Sequence, residues 1–594
     1  MLDRMNELTQ HAPHAGKLFL QTVSGDITGR REAENDVSAA KGSERSMYGY
    51  VPVSGCPHPK QCQVVMVLRN DASEESAYNV MKQYGLDDLA EDRNFLLLFP
   101  NPTEEGWNVT DDPARESDID FLIRCFGILK GSELGVSGFN GMIFYIAASP
   151  QGSELLMTMA ARRPLNVPAM MIGGFTPGYE IPADALGIET AAWVSCNDQA
   201  ANYFKWSNGI QTDPVPVTEH TVKYYGKNPN VRLLVSSDHL DAGLVKLAWD
   251  ELFSETRRWQ NDTYGCYQER TNFTEKGFVG HVKDSSLGVN GGFPHTWYEY
   301  IPPQLRGTDE KVPLLFYFHG GGCVPLYGAE QSDWHRIADR ENFIVVYPEA
   351  SAKNTWNVWN DKELPYSDKD FFLALIDHMD EVHPIDRTRI YVSGFSMGGM
   401  MSNAMACSLP NVIAAAAPCN AYQEGYFASY GALVGNMGKG GGAYDPGETV
   451  LGYKGEPSDT RKTADARKEL YDYRMPVIQT SGLIDGRWPI PGDRDSRVLC
   501  FNYWKKYNNI PVTPVTGSPY ESGLTADVNE YLGDDERFLH HAWKSDDEGH
   551  PYLYELFLAK RMPHALDIRT TGYLWKFLRK FRRAEDGRLI IGEE

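Results

Sequence analysis

A serine set between two glycines is the residue of this chain best placed to do chemistry. Gly394, Ser396 and Gly398 form a G-x-S-x-G pentapeptide. It directly follows the apolar run 389–393 and precedes a stretch of small residues, which is the strand, turn and helix context of a nucleophile elbow. The glycines leave room for a strained turn that lifts the serine Oγ clear of a sheet. The pattern predicts that Ser396 is a nucleophile that forms acyl-enzyme bonds.

A serine hydroxyl is a weak nucleophile until a base removes its proton, and that base needs a carboxylate to hold its tautomer. Asp485 and His564 follow Ser396 in the chain order typical of such sites. Asp485 comes after the strand-like run PVIQTSG, and His564 lies between the last predicted strand and the last predicted helix. We predict that His564 is the general base and acid and that Asp485 orients it. Nearby residues of the same types are the alternatives, namely Asp493, Asp495, His540, His541 and His550.

Acyl transfer also needs backbone N–H donors for the tetrahedral oxyanion, each worth about 3 kcal/mol of barrier. The predicted strand LLFYF runs straight into the sequence HGGG at 319–322. Glycines let such a loop turn its amides toward a reacting carbonyl, and a second donor follows the nucleophile directly. We therefore predict an oxyanion hole formed by the amides of Gly320, Gly321 and Met397.

The elements that must position these residues alternate between short apolar runs and longer amphipathic stretches. Strands are predicted at 313–318, 343–347, 389–393, 412–417, 476–480 and 553–558. Because these strands are almost continuously apolar, they predict a mostly parallel sheet with helices on both faces, an α/β fold. Residues Asp368–Val382 are predicted to form one covering helix, and 570–581 the last.

The same sequence pattern of strands and helices occurs twice along the chain. The segment DLAEDRNFLLLFPNPTEEGWNV at 88–109 is similar in order and spacing to RIADRENFIVVYPEASAKNTWNV at 336–358. A repeat of this length indicates a duplicated fold. We predict two tandem domains, over 1–255 and 297–594, joined by a connecting segment at 256–296.

Two insertions in the second domain are predicted to shape a pocket. They lie near 421–470 and 505–550, and such excursions are often lids. Trp356 and Trp488 are predicted to line the pocket and to hold an aromatic or acyl group. Packing in the core is the alternative role for both indoles.

The first domain lacks most of this chemistry. Ser149 is its equivalent of Ser396, but Ala147 and Gln151 replace the elbow glycines and LRNDA at 68–72 replaces FHGGG. The residue after Ser149 is a proline, which has no backbone N–H to offer an oxyanion. We predict a degenerate, non-catalytic copy that could complete the cleft, bind a polymer or form an interface.

Composition excludes several classes of function. A net charge of −23 over 594 residues, without a basic cluster, argues against a nucleic-acid or anionic-membrane partner. No apolar run of about 18 residues and no signal peptide are visible, so we expect no membrane span and a cytoplasmic protein, or a secreted one if the N-terminus has been trimmed. Nine scattered cysteines predict free thiols rather than a zinc site or disulfide framework, with a Cys56–Cys62 bridge as the alternative in an exported protein.

The second domain resembles the poly(3-hydroxybutyrate) depolymerase and feruloyl esterase group of α/β-hydrolases. The motifs that carry the resemblance are FHGGG, NFIVVYPEA, RIYVSGFSMGG, VIQTSGLIDG and MPHALD. It implies two tandem α/β-hydrolase-like domains, with Ser396 as nucleophile, His564 as base and acid, Asp485 as its orienter, and neither metal nor cofactor. The implied substrates are small or oligomeric carboxylic esters, of the polyhydroxyalkanoate, feruloyl, acetyl or aryl type.

Two other functions remain open at this level. A serine peptidase of the prolyl-oligopeptidase type has the same order of catalytic residues on the same fold, and a non-catalytic binding protein could be built from two such folds. The sequence shows no acidic pair that would bind a peptide terminus, which favours esters. A homo-oligomer is compatible with the sequence.

Overall fold

The computed structural model describes residues 8–27, 40–351, 355–357, 365–421, 473–485, 496–513 and 525–592. The chain divides into two compact units, Met1–Phe273 and Thr274–Glu594. This division falls within the segment 256–296 that we predicted to connect the domains. The segment has secondary structure of its own, because it contains a two-stranded sheet and the first edge strand of the second unit.

After its first five strands, the first unit alternates helices with runs of one to three strands. Its strands are β1 (Leu8–Gln10), β2 (Phe19–Val23), β3 (Arg45–Tyr50), β4 (Cys56–Pro57), β5 (Val64–Leu68), β6 (Leu96–Pro100), β7 (Ile143–Ala147), β8 (Ala169–Ile172), β9 (Ala191–Ser195), β10 (Val215–Pro216), β11 (Thr221–Tyr225), β12 (Arg232–Ser236), β13 (Arg258–Trp259) and β14 (Cys266–Tyr267). Its helices are α1 (Glu74–Gln83), α2 (Leu86–Arg93), α3 (Asp118–Gly127), α4 (Pro150–Arg162), α5 (Asp198–Ser207) and α6 (Ala242–Glu251).

The second unit begins within the short helix α7 (Phe273–Lys276) and repeats the alternation. Its strands are β15 (Val279–Asp284), β16 (His295–Tyr300), β17 (Val312–Phe318), β18 (Ile344–Pro348), β19 (Ile385–Phe395), β20 (Ala415–Cys419), β21 (Val477–Gly482), β22 (Val528–Leu532), β23 (Phe538–Lys544), β24 (Tyr552–Ala559), β25 (Phe581–Arg583) and β26 (Leu589–Ile591). Its further helices are α8 (Pro325–Ser332), α9 (Trp334–Glu341), α10 (Asp368–Val382), α11 (Met397–Ser408), α12 (Ser496–Tyr507) and α13 (Ile568–Leu578).

Both units are built on a ten-stranded sheet with the same strand order. The orders are β2-β3-β6-β5-β7-β8-β9-β12-β11-β10 and β15-β16-β18-β17-β19-β20-β21-β24-β23-β22. In each sheet the six central strands are parallel and the two strands at either edge are antiparallel. The predicted fold class, two tandem α/β-hydrolase-like domains with mostly parallel sheets, is confirmed.

The register of the strands aligns the two units residue by residue. Leu68 of β5 pairs with Ala147 of β7, and Phe318 of β17 pairs with Gly394 of β19. Each of these pairs is followed, two residues further along the chain, by a serine that opens a helix. The two serines therefore occupy equivalent positions of the duplicated fold.

The tryptophan of each Trp-Asn pair supports the loop after an equivalent central strand, β5 in the first unit and β17 in the second. Trp107 Nε1–H donates a hydrogen bond of 2.9 Å to the carbonyl of Arg69, directly after β5. Trp356 Nε1–H donates one of 2.7 Å to the carbonyl of His319, directly after β17. Both indoles are buried. The duplicated sequence is thus matched by a duplicated contact.

The asparagine of each pair is held by the first residue of the next helix. The Asn108 amide donates to Asp118 Oδ2 at 2.5 Å, and the Asn357 amide donates to Asp368 Oδ2 at 2.6 Å. Asp368 Oδ1 also accepts from the hydroxyl of Ser351 at 2.6 Å. Burial raises the pKa of Asp368 to about 6, although these hydrogen bonds lower it.

Helix α10 has the bounds that the sequence predicts. It begins after Ser367, whose side chain accepts from the Asp370 amide at 3.1 Å and so caps the helix. Its buried face consists of the apolar residues at helical spacing, namely Phe371, Phe372, Leu375, Ile376 and Met379. Among the helices in the described ranges, none combines the length and the apolar character needed to cross a bilayer.

The two predicted insertions have different outcomes. Residues 505–550 contain the end of α12 and the strands β22 and β23, which continue the sheet beyond β24, so this segment belongs to the fold instead of interrupting it. Apart from its first residue, the segment 421–470 lies outside the described residues. No two of the nine cysteines are bonded in the described structure, and the thiol of Cys62 contacts Cys56, the pair named as the alternative bridge.

We expect Asp368→Asn to destabilise the second unit. The amide would turn N–H groups toward the Asn357 amide or the Ser351 hydroxyl, where the carboxylate accepts, so a buried donor would lose its partner. The free energy of unfolding should fall by about 2 kcal/mol, measured by urea denaturation. Asp370→Asn removes the same charge at an exposed position of the same helical turn and should cost less than about 0.5 kcal/mol. Equal losses in the two variants would contradict this role of Asp368.

Candidate active site

Ser396 lies in a sharp turn between β19 and α11. Its backbone has φ 55° and ψ −115°, a strained conformation for a residue with a side chain. The Ser396 amide donates a hydrogen bond of 2.9 Å to the carbonyl of Cys419, at the end of the neighbouring strand β20. Burial raises the pKa of the Cys419 thiol to about 12, so this neighbour of the serine remains protonated.

The glycines around Ser396 allow a very close approach of backbones. A Cβ atom on Gly398 would lie 1.9 Å from the carbonyl oxygen of Phe318, and one on Gly394 would lie 2.4 Å from the carbonyl oxygen of Gly398. A Cβ on Gly399 would lie 2.6 Å from the carbonyl of Cys419. Side chains at these positions would force α11 away from β17 and β20, so the turn needs glycines for a steric reason.

The structure brings together the three residues that the sequence predicts to act together. His564 Nδ1 lies 2.8 Å from Asp485 Oδ2, and His564 Nε2 lies 2.8 Å from Ser396 Oγ. An ionised carboxylate can only accept, so Nδ1 carries the ring proton and Nε2 is free to accept from the serine hydroxyl. The side chains of His564 and Asp485 are 6% and 0% exposed, so the contact between the imidazole and the carboxylate is shielded from water.

The loops that carry Asp485 and His564 are joined to each other. The amides of Leu483 and Ile484 donate to the carbonyls of Ala559 and Met562 at 2.9 and 3.1 Å. A Cβ on Gly482, the last residue of β21, would lie 2.0 Å from the carbonyl oxygen of Met562. Because these loops follow the adjacent parallel strands β21 and β24, the carboxylate and the imidazole meet at one edge of the sheet.

Asn420 is a member of this site that the sequence analysis missed. Its Nδ2 donates a hydrogen bond of 2.9 Å to Asp485 Oδ2, the oxygen that also faces His564. Asn420 directly follows β20 and has a φ of 51°, a left-handed conformation that asparagine tolerates better than most residues. An asparagine at the carboxyl end of a central parallel strand was the available signal.

The three alternative histidines have other partners in the structure. His540 contacts Glu530 and Glu555 at 2.8 and 2.9 Å, and His541 Nδ1 contacts Asn529 at 2.6 Å. The remaining alternative histidine, His550, faces the carbonyl of Ser545 at 3.2 Å, whereas Asp493 and Asp495 lie outside the described residues.

The glycine loop lies against the nucleophile turn. A Cβ on Gly321 would lie 3.3 Å from Met397 Sδ, and one on Gly320 would lie 3.1 Å from the ring of Phe395. Met397 is the first residue of α11, so its amide has no intrahelical carbonyl partner and lies at the positive end of the helix dipole. The predicted amide donors thus lie on the two segments that meet at Ser396.

His319 and Trp356 hold the glycine loop in place through hydrogen bonds with its backbone. His319 Nδ1 lies 2.8 Å from the Gly320 carbonyl, and His319 Nε2 accepts from the Ala350 amide at 3.0 Å, which fixes the tautomer. Trp356 is 1% exposed and packs against Phe318 and His319, so it lies in the core beneath the loop instead of on an open pocket wall. Trp488, the other predicted pocket residue, lies outside the described residues.

The equivalent position in the first unit has a different structure. Ser149 has an extended backbone with φ −153°, and its Oγ accepts from the Gly152 amide at 3.1 Å as the cap of α4. The same Oγ donates to Asn70 Oδ1 at 2.7 Å, while Asn70 Nδ2 donates to Gln151 Oε1 at 2.5 Å. Asn70 stands where the second unit has Gly320. Its side chain therefore fills the place of the glycine loop.

Comparison with known proteins finds similarity over part of the chain. A bifunctional acetylxylan esterase/xylanase of Neocallimastix patriciarum is 38% identical over 122 residues, 20% of this chain and 17% of that protein. Poly(3-hydroxyalkanoate) depolymerase C of Paucimonas lemoignei is 30% identical over 141 residues, 23% of this chain and 33% of that protein. Feruloyl esterase B of Thermothelomyces thermophilus is 32% identical over 126 residues, 20% of this chain and 42% of that protein.

No family model matches the sequence. Among solved structures, an acetyl xylan esterase from Aspergillus awamori aligns with 51% of this chain and 98% of its own, at 17% identity and a TM-score of 0.36. The chain spans less than half the length of the three curated relatives that it matches. Over about a fifth of the chain, the predicted resemblance to depolymerases and feruloyl esterases is confirmed.

Proposed function

We propose that the second unit is a serine hydrolase that cleaves carboxylic esters through an acyl-enzyme. The observation that carries this proposal is the imidazole of His564, which contacts the hydroxyl of Ser396 and the carboxylate of Asp485 at 2.8 Å each. An imidazole that a buried carboxylate orients can remove the proton of a serine hydroxyl and so activate it for acyl transfer. The strained turn presents that hydroxyl to the imidazole.

The first half of the reaction transfers the acyl group to the enzyme. His564 Nε2 takes the proton of Ser396 while Oγ attacks the ester carbonyl and the carbonyl π electrons move to oxygen. Asp485 stabilises the imidazolium that forms, and the amides of Met397 and the glycine loop bind the oxyanion. When the tetrahedral intermediate collapses, the bond to the alkoxy oxygen breaks and Nε2–H protonates the leaving alcohol.

The second half returns the enzyme to its starting state. Water enters where the alcohol left, and His564 Nε2 removes a proton from it as the water oxygen attacks the acyl carbon. The same amides bind the second oxyanion. Collapse breaks the bond to Ser396 Oγ, which takes the proton back from His564, and a carboxylic acid is released. One ester and one water thus yield one alcohol and one acid.

The proposed substrates are esters of acetyl, feruloyl or 3-hydroxyalkanoate acyl groups. Support comes from the three relatives, which are an acetylxylan esterase/xylanase, a poly(3-hydroxyalkanoate) depolymerase and a feruloyl esterase. Among the described residues, Ser396 is partly exposed and Gly321 is exposed, which supports access of an oligomeric ester as well as a small one.

We also propose that the first unit does not turn over esters. Ser149 caps a helix and bonds to an asparagine, so its hydroxyl lacks the imidazole contact that Ser396 has. The helix that follows begins with Pro150, which offers no N–H to an oxyanion. The first unit would then have a supporting or binding role instead of a catalytic one.

Ser396→Ala should abolish ester hydrolysis. Removing the nucleophile of such a site lowers kcat by at least about a thousandfold. We would measure initial rates on p-nitrophenyl esters from acetate to octanoate and on methyl ferulate. Ser149→Ala is the matched control, because it removes the equivalent hydroxyl of the duplicated fold, and it should leave the rates unchanged.

The same assay distinguishes the other functions. Cleavage of a peptide anilide without ester cleavage would favour a peptidase. Absence of covalent labelling of Ser396 by a fluorophosphonate, together with absence of turnover, would favour a non-catalytic binding protein. Loss of activity in Ser149→Ala would contradict the assignment of the two units.

Asn420→Gly should lower kcat without unfolding the protein. Glycine keeps the left-handed backbone at this position but removes the donor to Asp485, so the carboxylate orients His564 less well. We expect kcat on p-nitrophenyl acetate to fall by about tenfold, the effect of one hydrogen bond to a charged group. Asn509→Gly is the control, since Asn509 also has a positive φ of 54° and donates to a carboxylate, that of Asp547. Equal activities of both variants would show that Asn420 has no positioning role.

A further inference from the structure

Three histidines surround one buried glutamate at the edge of the second sheet. Glu299 of β16 has a side chain that is 4% exposed. Its Oε1 lies 3.1 Å from His281 Nε2 of β15 and 3.0 Å from His378 Nε2 of α10, and its Oε2 lies 3.5 Å from His383 Nε2, directly after α10. We call these four residues the His3Glu cluster. Its members come from two strands and one helix end, so only the folded unit assembles it.

One contact in the His3Glu cluster is not a hydrogen bond. Glu299 Oε1 already accepts from Trp297 Nε1–H at 2.9 Å and contacts His378 Nε2 at 3.0 Å. His281 Nδ1 lies 3.4 Å from Asp284 Oδ2, which favours the ring proton on Nδ1. His281 Nε2 then presents a lone pair to a carboxylate oxygen, and within the described residues this buried nitrogen has no hydrogen-bond partner. A cation placed between these two atoms would bond to both of them.

We propose that the His3Glu cluster binds a divalent transition-metal ion, with zinc as the best fit. Imidazole nitrogens and a carboxylate oxygen are zinc ligands, and bond lengths of about 2.0–2.2 Å in a tetrahedron place the ligand atoms about 3.3–3.5 Å apart. The ligand atoms of His281, Glu299 and His378 all lie within 4.8 Å of one another. The separations of 3.1 and 3.0 Å from Glu299 Oε1 to the Nε2 atoms of His281 and His378 are close to those of a tetrahedral site.

The residues around the cluster orient its histidines in the way that the second shell of a metal site orients its ligands. Asp284 contacts the distal nitrogen of His281, as a carboxylate behind a ligand histidine does in zinc sites. The ring of His281 is stacked on Trp297, with centroids 4.3 Å apart, which fixes its orientation. The three ligand side chains join the edge hairpin β15–β16 to the last turns of α10, while His383 contacts the other carboxylate oxygen, Glu299 Oε2, at 3.5 Å.

The first unit provides an internal comparison. Strand pairing places Gly49 of β3 at the position of Glu299, and Gln21 of β2 at the position of His281. A Cβ on Gly49 would lie 2.5 Å from a methyl of Leu134, so the first unit fills this space with an apolar side chain. The cluster is therefore not required by the shared topology. It belongs to the second unit alone among the aligned positions that the structure describes.

The test measures metal bound by the full chain. We would incubate the protein with zinc, dialyse it and measure the metal that remains bound by mass spectrometry. We expect about one zinc ion per chain. His378→Gln and Glu299→Gln should each lower the zinc affinity by about tenfold to a hundredfold or more. His540→Gln is the matched control, because His540 also contacts two carboxylates but lies outside the cluster, and it should retain the ion.

A second measurement guards against variants that fail to fold. Cobalt added to the wild-type chain should give the intense visible absorption of a tetrahedral site, and zinc should displace it. Zinc should also raise the unfolding midpoint of the wild type by about 5 °C at a hundredfold excess over its Kd, and a chelator should reverse the shift. A wild-type chain that retains no zinc, or equal losses of zinc in His378→Gln and His540→Gln, would overturn the proposal. Neither readout depends on the proposed esterase activity.

Discussion

The approach of helix α11 to the end of strand β17 is the contact on which the rest of the site depends. A single Cβ at position 398 would come within 1.9 Å of the Phe318 carbonyl oxygen, so the first turn of the helix can approach the strand this closely only with glycine there. That approach forces Ser396 into its strained turn and directs its Oγ toward His564. It also places the first amide of α11 beside the glycine loop, where the proposed oxyanion would form.

The duplicated fold shows which interactions belong to the scaffold and which to the chemistry. Both units have the same strand order. In both, a tryptophan contacts the loop after the equivalent strand, β5 or β17, and an asparagine amide donates to an aspartate. They differ at the contact between the helix that follows the serine, α4 or α11, and the neighbouring strand, β5 or β17. With Gln151 in place of Gly398, the first unit cannot bring its helix as close, and Ser149 has an ordinary extended conformation and a capping role.

Helix α10 connects two features of the second unit. Its first residue, Asp368, holds the loop that contains Trp356, and Trp356 in turn holds the carbonyl of His319 beneath the glycine loop. Its last turns carry His378 and lead to His383, so the proposed metal ion would fix the opposite end of the same helix to the sheet edge. Rigid support of this kind keeps amide donors in place without reorganisation during the reaction.

The sequence by itself determined the local features of this protein. The apolar periods gave the strands and α10, the repeat gave the second copy of the fold, and the glycines of the elbow and of HGGG marked the turn around Ser396, because these features depend on neighbours along the chain. Only the tertiary structure decided that His564 rather than His540 faces the serine, that Asn420 joins Asp485, and that Trp356 is buried. It also assembled the His3Glu cluster from three elements. These contacts join residues far apart in sequence, and their partners are fixed by strand order and register, which no local pattern records.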